Sequence, residues 1–289
     1  MTQVLMTQVL QHPGPRRWTA RNLGWLLVGV VVILPSVLPL VWLVSTSFKT
    51  YIQTQTFPPA LVPRGGGTSA NFTGIFSNPL TLGYIKNSVI ITAIVIILVM
   101  VLSLPAAYGL ARFKLKSGRD LQFWIISLRI LPPMAVVVPV FLILSQLHLT
   151  GSIVGVICML TMVNSSFAVW LCTSFFEEIP EEIEEAAQLD GLGRWRTFFL
   201  IGLPLARTGL LTVLGFVFIF AWNELPFTLV LAGEGSQTLP VFLSTFSSIT
   251  LINYGAMAAA IIIHIVPVLF VTGLLQRHLV EGLSFGAVK

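Results

Sequence analysis

Seven of the 11 acidic residues in this 289-residue chain lie in one short stretch, FFEEIPEEIEEAAQLDG: Glu177, Glu178, Glu181, Glu182, Glu184, Glu185 and Asp190. Carboxylates crowded this way offer acceptors to the arginines of a partner, or else they solvate a linker. The local pattern favours one short helix. Pro180 suits its first position, Glu181 and Glu182 fall in the first turn where the helix dipole favours anions, and Gly191 follows as a stop. Ala186 and Ala187 leave one face without bulk, so another backbone can approach it closely. A second set of polar residues, Arg129, Asn164, Asn223, Glu224 and His264, stands inside apolar runs. A charge at the centre of a bilayer costs at least about 2.5–3.5 kcal/mol on insertion scales, so these groups need partners or water.

Other reactive residues point away from chemistry. Cys158 and Cys172 lie in one apolar run at a spacing that fits no zinc or redox motif, and read as packing residues. The four histidines, His12, His148, His264 and His278, are scattered singly, which predicts no metal site. No nucleophile is spaced with a base, so an intramembrane enzyme is disfavoured. The phosphate-binding pattern G-x-x-x-x-G-K-[ST] is absent, and the chain is not expected to hydrolyse ATP.

The elements that carry these residues are membrane spans. With 55% hydrophobic and 9% charged residues, the composition is far from the soluble average of about 25% charged. Runs of about 20 apolar residues match a hydrocarbon core of about 30 Å. Six such runs are predicted, near residues 24–44, 89–110, 121–144, 153–175, 210–231 and 256–275, giving an all-α membrane protein with six transmembrane helices. The expected organisation is an N-terminal tail (1–23), a first helix (24–44), an external loop (45–86), a main transmembrane unit (87–276) and a C-terminal tail (277–289). Within the main unit lie an acidic loop (176–207) and a further external loop (232–255).

Basic residues set the orientation. Arg16, Arg17, Arg21, Arg112, Lys114, Lys116, Arg119, Arg194, Arg196, Arg207, Arg277 and Lys289 fall on one side, against Lys49, Arg64 and Lys86 on the other. Both termini and the acidic loop should therefore face the cytoplasm. The net charge of +5 needs no nucleic acid to explain it, because the basic clusters flank the spans. Proline recurs within the spans, and the pair Pro132-Pro133 is the expected break. In the segment 57–79, NFTG fits a glycosylation acceptor, although so short a signal is commonly accidental.

The spacing of the acidic loop carries a family resemblance. Glu185-Ala186-Ala187, three residues, Gly191, nine residues, Ile201, one residue and Leu203-Pro204 resembles the EAA loop of ABC importer permeases. FIFAWNELPFTLVL, RILPPMAVVVPVFLI and the ending QRHLVEGLSFGAVK are similar to segments of the carbohydrate-uptake permeases, closest to the smaller subunit of maltose-type importers. The resemblance covers most of residues 87–289. It implies a type I ABC importer permease fold in a bacterial inner membrane. The partners it implies are a second permease, two ATPase subunits that bind ATP and Mg, and an extracytoplasmic sugar-binding protein gripped by the loop 233–255. No cofactor is expected on this chain. Glu184, Glu185, Ala186, Ala187, Asp190, Gly191, Leu203 and Pro204 would form the coupling site for the ATPase, and Gly286, Ala287, Val288 and Lys289 would reach the ATPase interface. Asn164, Asn223 and Glu224 are candidates for a sugar path. For Asn223 and Glu224 that reading stands level with helix-to-helix bonding, which is preferred for Arg129 and His264. The rival reading is an ion-coupled secondary transporter, which would need midplane acids and symmetric repeats.

Overall fold

The computed structural model describes residues 20–113, 115–246 and 252–285. The described residues contain helices and no strand: α1 (Ala20–Ser47), α2 (Tyr51–Gln55), α3 (Ala70–Ser77), α4 (Pro79–Arg112), α5 (Gly118–Ile130), α6 (Pro133–Gln146), α7 (Ile153–Glu177), α8 (Glu181–Leu189), α9 (Arg194–Thr197), a π-helical turn (Phe198–Gly202), α10 (Leu203–Trp222), α11 (Pro226–Leu231), α12 (Leu239–Thr245) and α13 (Tyr254–Phe285). Five continuous helical runs are long and apolar enough to cross a bilayer, and α5 with α6 forms a sixth, bent by 96°.

That bend has the expected cause. A residue before proline is pushed out of the α region, and Leu131 and Pro132 hold extended ψ values of 130° and 125° ahead of Pro133. The fifth span starts earlier and stops sooner than the apolar run 210–231 suggests. Pro226 has no N–H to bond back to Trp222, so α10 ends there and α11 begins at Pro226 after a non-helical Asn223–Leu225. Likewise α4 begins at Pro79, where the Asn78 side chain accepts from Leu80 N–H at 3.0 Å. Much of the predicted C-terminal tail is helical, since α13 continues to Phe285.

The core is built where α4 lies along α7, the most extensive helix pair. Ile91, Val95, Val99, Ser103 and Ala107 recur every fourth residue on α4 and are all buried. Ile91, Val95, Val99 and Ala107 share one buried cluster with Val156, Leu160, Ala168 and Cys172 of α7, so Cys172 is a packing residue. The Phe175 ring of α7, in the same buried cluster, lies against Gly209 of α10, 2.3 Å from where a Cβ would stand.

At about 1.5 Å rise per residue, the 34-residue α4 separates two ends of the bundle. One end carries α8. At the other, Asn87 donates to the carbonyls of Gly235 and Gln237 at 3.0 and 2.9 Å, and the Ser88 hydroxyl accepts from Leu239 N–H at 2.7 Å. These bonds pin the loop after α11 to α4. Asn71 is equally committed, because its amide nitrogen donates to the carbonyls of Ser47 and Lys49 at 2.8 Å each. That is the atom a glycan would need, so the asparagine of NFTG is a structural tie between α3 and the end of α1.

Candidate functional site

The acidic stretch folds into α8 with Pro180 one position earlier than expected, as the N-cap with ψ 129°, which leaves Glu181, Glu182 and Glu184 in the first turn. Its end is a paired-bond cap. Leu192 N–H bonds to Ala187 O at 3.1 Å and Gly191 N–H to Gln188 O at 3.0 Å, with Gly191 at φ +92°. Only a residue without Cβ holds that backbone conformation cheaply.

The carboxylates of α8 divide by face. Glu184 is 3% exposed and points into the protein. Its Oε1 accepts from Nε and Nη2 of Arg112 at 3.0 and 2.9 Å, and its Oε2 accepts from the Tyr108 hydroxyl at 2.5 Å. Arg112 Nη2 also donates to Ile179 O at 3.0 Å. The outward pairing expected of Glu184 is therefore corrected: its acceptors are filled from α4. Glu185, Ala186, Asp190 and Gly191 are exposed and Ala187 is half-buried. Beside them stand two largely exposed apolar side chains, Leu189 at 89% exposed and Trp195 at 68%. A cavity of about 250 Å³ opens between α8 and the end of α4, where Glu181, Glu185, Gln188 and Arg194 face it.

Tyr108 rests in an aromatic cluster, 4.9 Å from Phe198 and 5.4 Å from Phe176 between ring centroids. Gly202 admits it closely, since a Cβ there would lie 3.2 Å from the ring. The π-helical turn occupies this contact. Pro204 contributes no N–H, and the preceding turn widens so that Leu203 N–H reaches Phe198 O. Leu203 and Pro204 thus shape the joint between α9 and α10. Sequence reasoning missed Tyr108 and Arg112 in this site, because a basic residue at the end of a span reads only as a topology signal. Gly286, Ala287, Val288 and Lys289 lie outside the described residues.

The intramembrane polar residues separate into two groups. Both breaks in the spans meet at a cavity of about 200 Å³, lined by Arg129, Leu131 and Pro133 on one side and by Glu224 and Phe227 on the other. Non-helical backbone at membrane depth is tolerated where it lines a cavity or is buried in protein. The Arg129 guanidinium lies 4.1 Å from the Phe220 ring centroid and 3.5 Å from Asn164 Oδ1. Glu224 Oε1 accepts from Phe227 N–H at 3.0 Å and so caps α11. Asn223 is not part of this group. Its Oδ1 lies 3.1 Å from His264 Nε2, and Trp222 Nε1 donates to His264 O at 3.0 Å, so these residues tie α10 to α13. Among the described residues, no group of three His, Cys, Asp or Glu side chains could hold a metal ion.

A bundle of helices long and apolar enough to cross a membrane, with a polar helix fastened at one end and a cavity between two broken spans, is the architecture of a multi-pass membrane protein with an internal polar site. The chain belongs to the family described as the binding-protein-dependent transport system inner membrane component, which matches residues 100–284. It is 36% identical to a probable ABC transporter permease of Sinorhizobium fredii, over 94% of this chain and 97% of that one. It is 31% identical to a diacetylchitobiose uptake system permease of Streptomyces coelicolor, over 90% of this chain and 94% of that one. A bacterial ABC transporter involved in import of the acidic polysaccharide alginate shares the fold, with a TM-score of 0.74 over 90% of this chain and 98% of that one at 19% identity. The protein is thus a multi-pass ABC permease subunit and not itself an enzyme, and the ion-coupled reading falls.

Proposed function

We propose that this permease carries a sugar into the cytoplasm and that α8 is the helix through which a partner ATPase drives it. The observation that supports this reading is the division of α8 between two faces. Glu184 locks one face to α4, while the other presents Glu185 and the small Ala186, flanked by Leu189 and Trp195. A helix fixed on one side and open on the other transmits displacement, whereas a solvated linker would yield. Exposed apolar side chains beside carboxylates suit a partner that supplies both basic groups and an apolar cleft. ATP and Mg would bind that partner and not this chain.

The basic-residue count supports placing α8 and both termini in the cytoplasm of a bacterial cell. A second, similar permease would complete the pathway, two ATPase subunits would engage α8 and its counterpart, and Gly286–Lys289 would reach their interface. The opposite end, where Asn87 and Ser88 hold the loop after α11, would meet the sugar-binding protein. Within the membrane, Arg129, Asn164 and Glu224 combine donors with acceptors in the cavity between the broken spans, the complement that a hydroxylated solute needs. Asn223 serves the path only by fixing α10 to α13. The uptake function of the Streptomyces relative supports the sugar class.

Site-directed crosslinking tests the coupling role. Ala186→Cys should crosslink to the ATPase subunit in membranes, with a yield that changes when ATP is added. A yield no higher than that of Ser117→Cys, regardless of nucleotide, would overturn it.

A further inference from the structure

Among the described residues, Lys49 is a buried cation with no counter-ion. It lies two residues beyond α1, at the end of the bundle opposite α8, and is 3% exposed. Burial pushes its ammonium below the ordinary lysine value. Nζ donates to Ala60 O at 2.6 Å and lies 4.5 Å from the Trp42 ring centroid. A carbonyl dipole and an aromatic face solvate the charge without neutralising it. The first 119 residues contain no Asp or Glu, and among the described residues the only ion pair within 4.0 Å is Arg112–Glu184.

The ammonium borders a cavity of about 230 Å³ whose lining includes Trp42, Thr46, Gln53, Thr54 and Tyr254. Thr46 is 8% exposed, and its hydroxyl has no hydrogen-bond partner among the described residues. The neighbouring polar groups are already used: Gln53 Nε2 donates to Arg64 O at 2.6 Å, Gln53 Oε1 accepts from Thr50 N–H at 2.9 Å, and the Thr54 hydroxyl donates to Tyr51 O at 2.7 Å. What remains unmatched is an ammonium and a hydroxyl on adjoining turns, the donor pair that an oxyanion satisfies.

The surroundings indicate where that oxyanion comes from. Pro59 and Ala60 wall this cavity, and the residues that follow them, Leu61 and Val62, wall an apolar groove of about 540 Å³ completed by Leu40, Val44 and Phe48 of the α1 region. The apolar span of α1 ends at Ser47, so Lys49 stands at the level where helix leaves hydrocarbon and lipid phosphates lie. Trp42 and Tyr254 are the residue types that favour this level. A soluble phosphate would fill the cavity and leave the groove bare. We propose that this corner binds an anionic phospholipid, with its phosphate held by Lys49 Nζ and the Thr46 hydroxyl and one acyl chain laid in the groove beside α1. This site is independent of the transport reading.

The test is native mass spectrometry of the detergent-purified importer carrying this chain, with phosphatidylglycerol, diacylglycerol and inorganic phosphate as probes. The expected result is one phosphatidylglycerol retained per copy of this permease and no retained diacylglycerol. Lys49→Gln and Thr46→Val should each lower that occupancy at least about tenfold, the loss that accompanies one charge-assisted hydrogen bond. Thr46→Val preserves shape and decides the matter if the lysine variant does not assemble. Retention unchanged in Thr46→Val would overturn the proposal, as would equal retention of diacylglycerol. Displacement of the lipid by equimolar inorganic phosphate would show an anion site without a lipid.

Discussion

Arg112, the last residue of α4, clasps Glu184 of α8 through contacts of 2.9 and 3.0 Å to one carboxylate oxygen, while Tyr108, one helical turn earlier, takes the other. The side chains of the pair are only 10% and 4% exposed. A short polar helix is thereby fastened to a span that runs the height of the bundle.

Breaking this pair from one side leaves a buried charge uncompensated, at a cost of about 3–5 kcal/mol. Arg112→Ala should therefore loosen α8 without preventing membrane insertion, seen as faster protease cleavage between Glu181 and Leu192. ATPase activity of the assembled importer should continue while solute uptake falls. Pairing Arg112→Ala with Glu184→Leu removes both charges and should recover part of the lost protease resistance. Independent, additive effects in that double variant would show that the two residues are not coupled.

Gly191 offers a test of the backbone alone. A side chain in the left-handed region costs roughly 1–2 kcal/mol, and at φ +92° no atom lies within 4 Å of a built Cβ, so strain rather than a clash is the effect probed. Gly191→Ala should weaken transport modestly, and Gly191→Asn, better tolerated at positive φ, should weaken it less. Uptake rates of the two variants in whole cells would establish the order, and the reverse order would refute a purely conformational role.

Much of this architecture is legible in the sequence because it rests on local chemistry. Pro132-Pro133 breaks a span wherever it falls, and Glu185-Ala186-Ala187 followed by Gly191 is a helix with its own stop. The Arg112–Glu184 pair is not legible. It joins residues 72 positions apart, and each is indistinguishable in sequence from the solvated charges around it: Arg112 from the basic cluster after α4, Glu184 from five neighbouring glutamates. Asn223 and Glu224 were inseparable for a similar reason. Adjacent residues at a helix end diverge according to the break that Pro226 imposes, one toward His264 and one toward the cavity.

That divergence predicts different phenotypes. Asn223→Ala removes a tie between α10 and α13, and should lower the thermal stability of the purified importer, with transport retained at permissive temperature. Glu224→Gln keeps the size and an acceptor for Phe227 N–H but removes the charge facing Arg129. It should preserve stability and reduce the maximal rate of uptake, a combination that a structural role alone would not give. Thermal unfolding beside uptake kinetics would separate the two outcomes.

Orientation can be measured directly. Thr68→Cys should react with an impermeant maleimide added to intact cells, and Ser117→Cys only after the cells are opened. The reverse pattern would place α8 on the wrong side for any ATPase.

The decisive prediction concerns Glu185. It stands one residue from Glu184 on the same helix, yet it is exposed and lines the open cavity beside α8. If a basic group of the ATPase meets it there, docking buries the pair, and reversing its charge should cost more than the 0–1 kcal/mol typical of an exposed pair. Glu185→Lys should thus abolish uptake and release the ATPase during purification, with the permease still inserted at its normal level. Glu177→Lys is the matched control. It makes the same charge change at the exposed last residue of α7, where Gln122 approaches the carboxylate at a marginal 3.5 Å, and it should leave both assembly and uptake nearly unaltered. Equal ATPase recovery with Glu185→Lys and the wild-type chain, together with undiminished uptake, would return the carboxylates of α8 to a solvated linker.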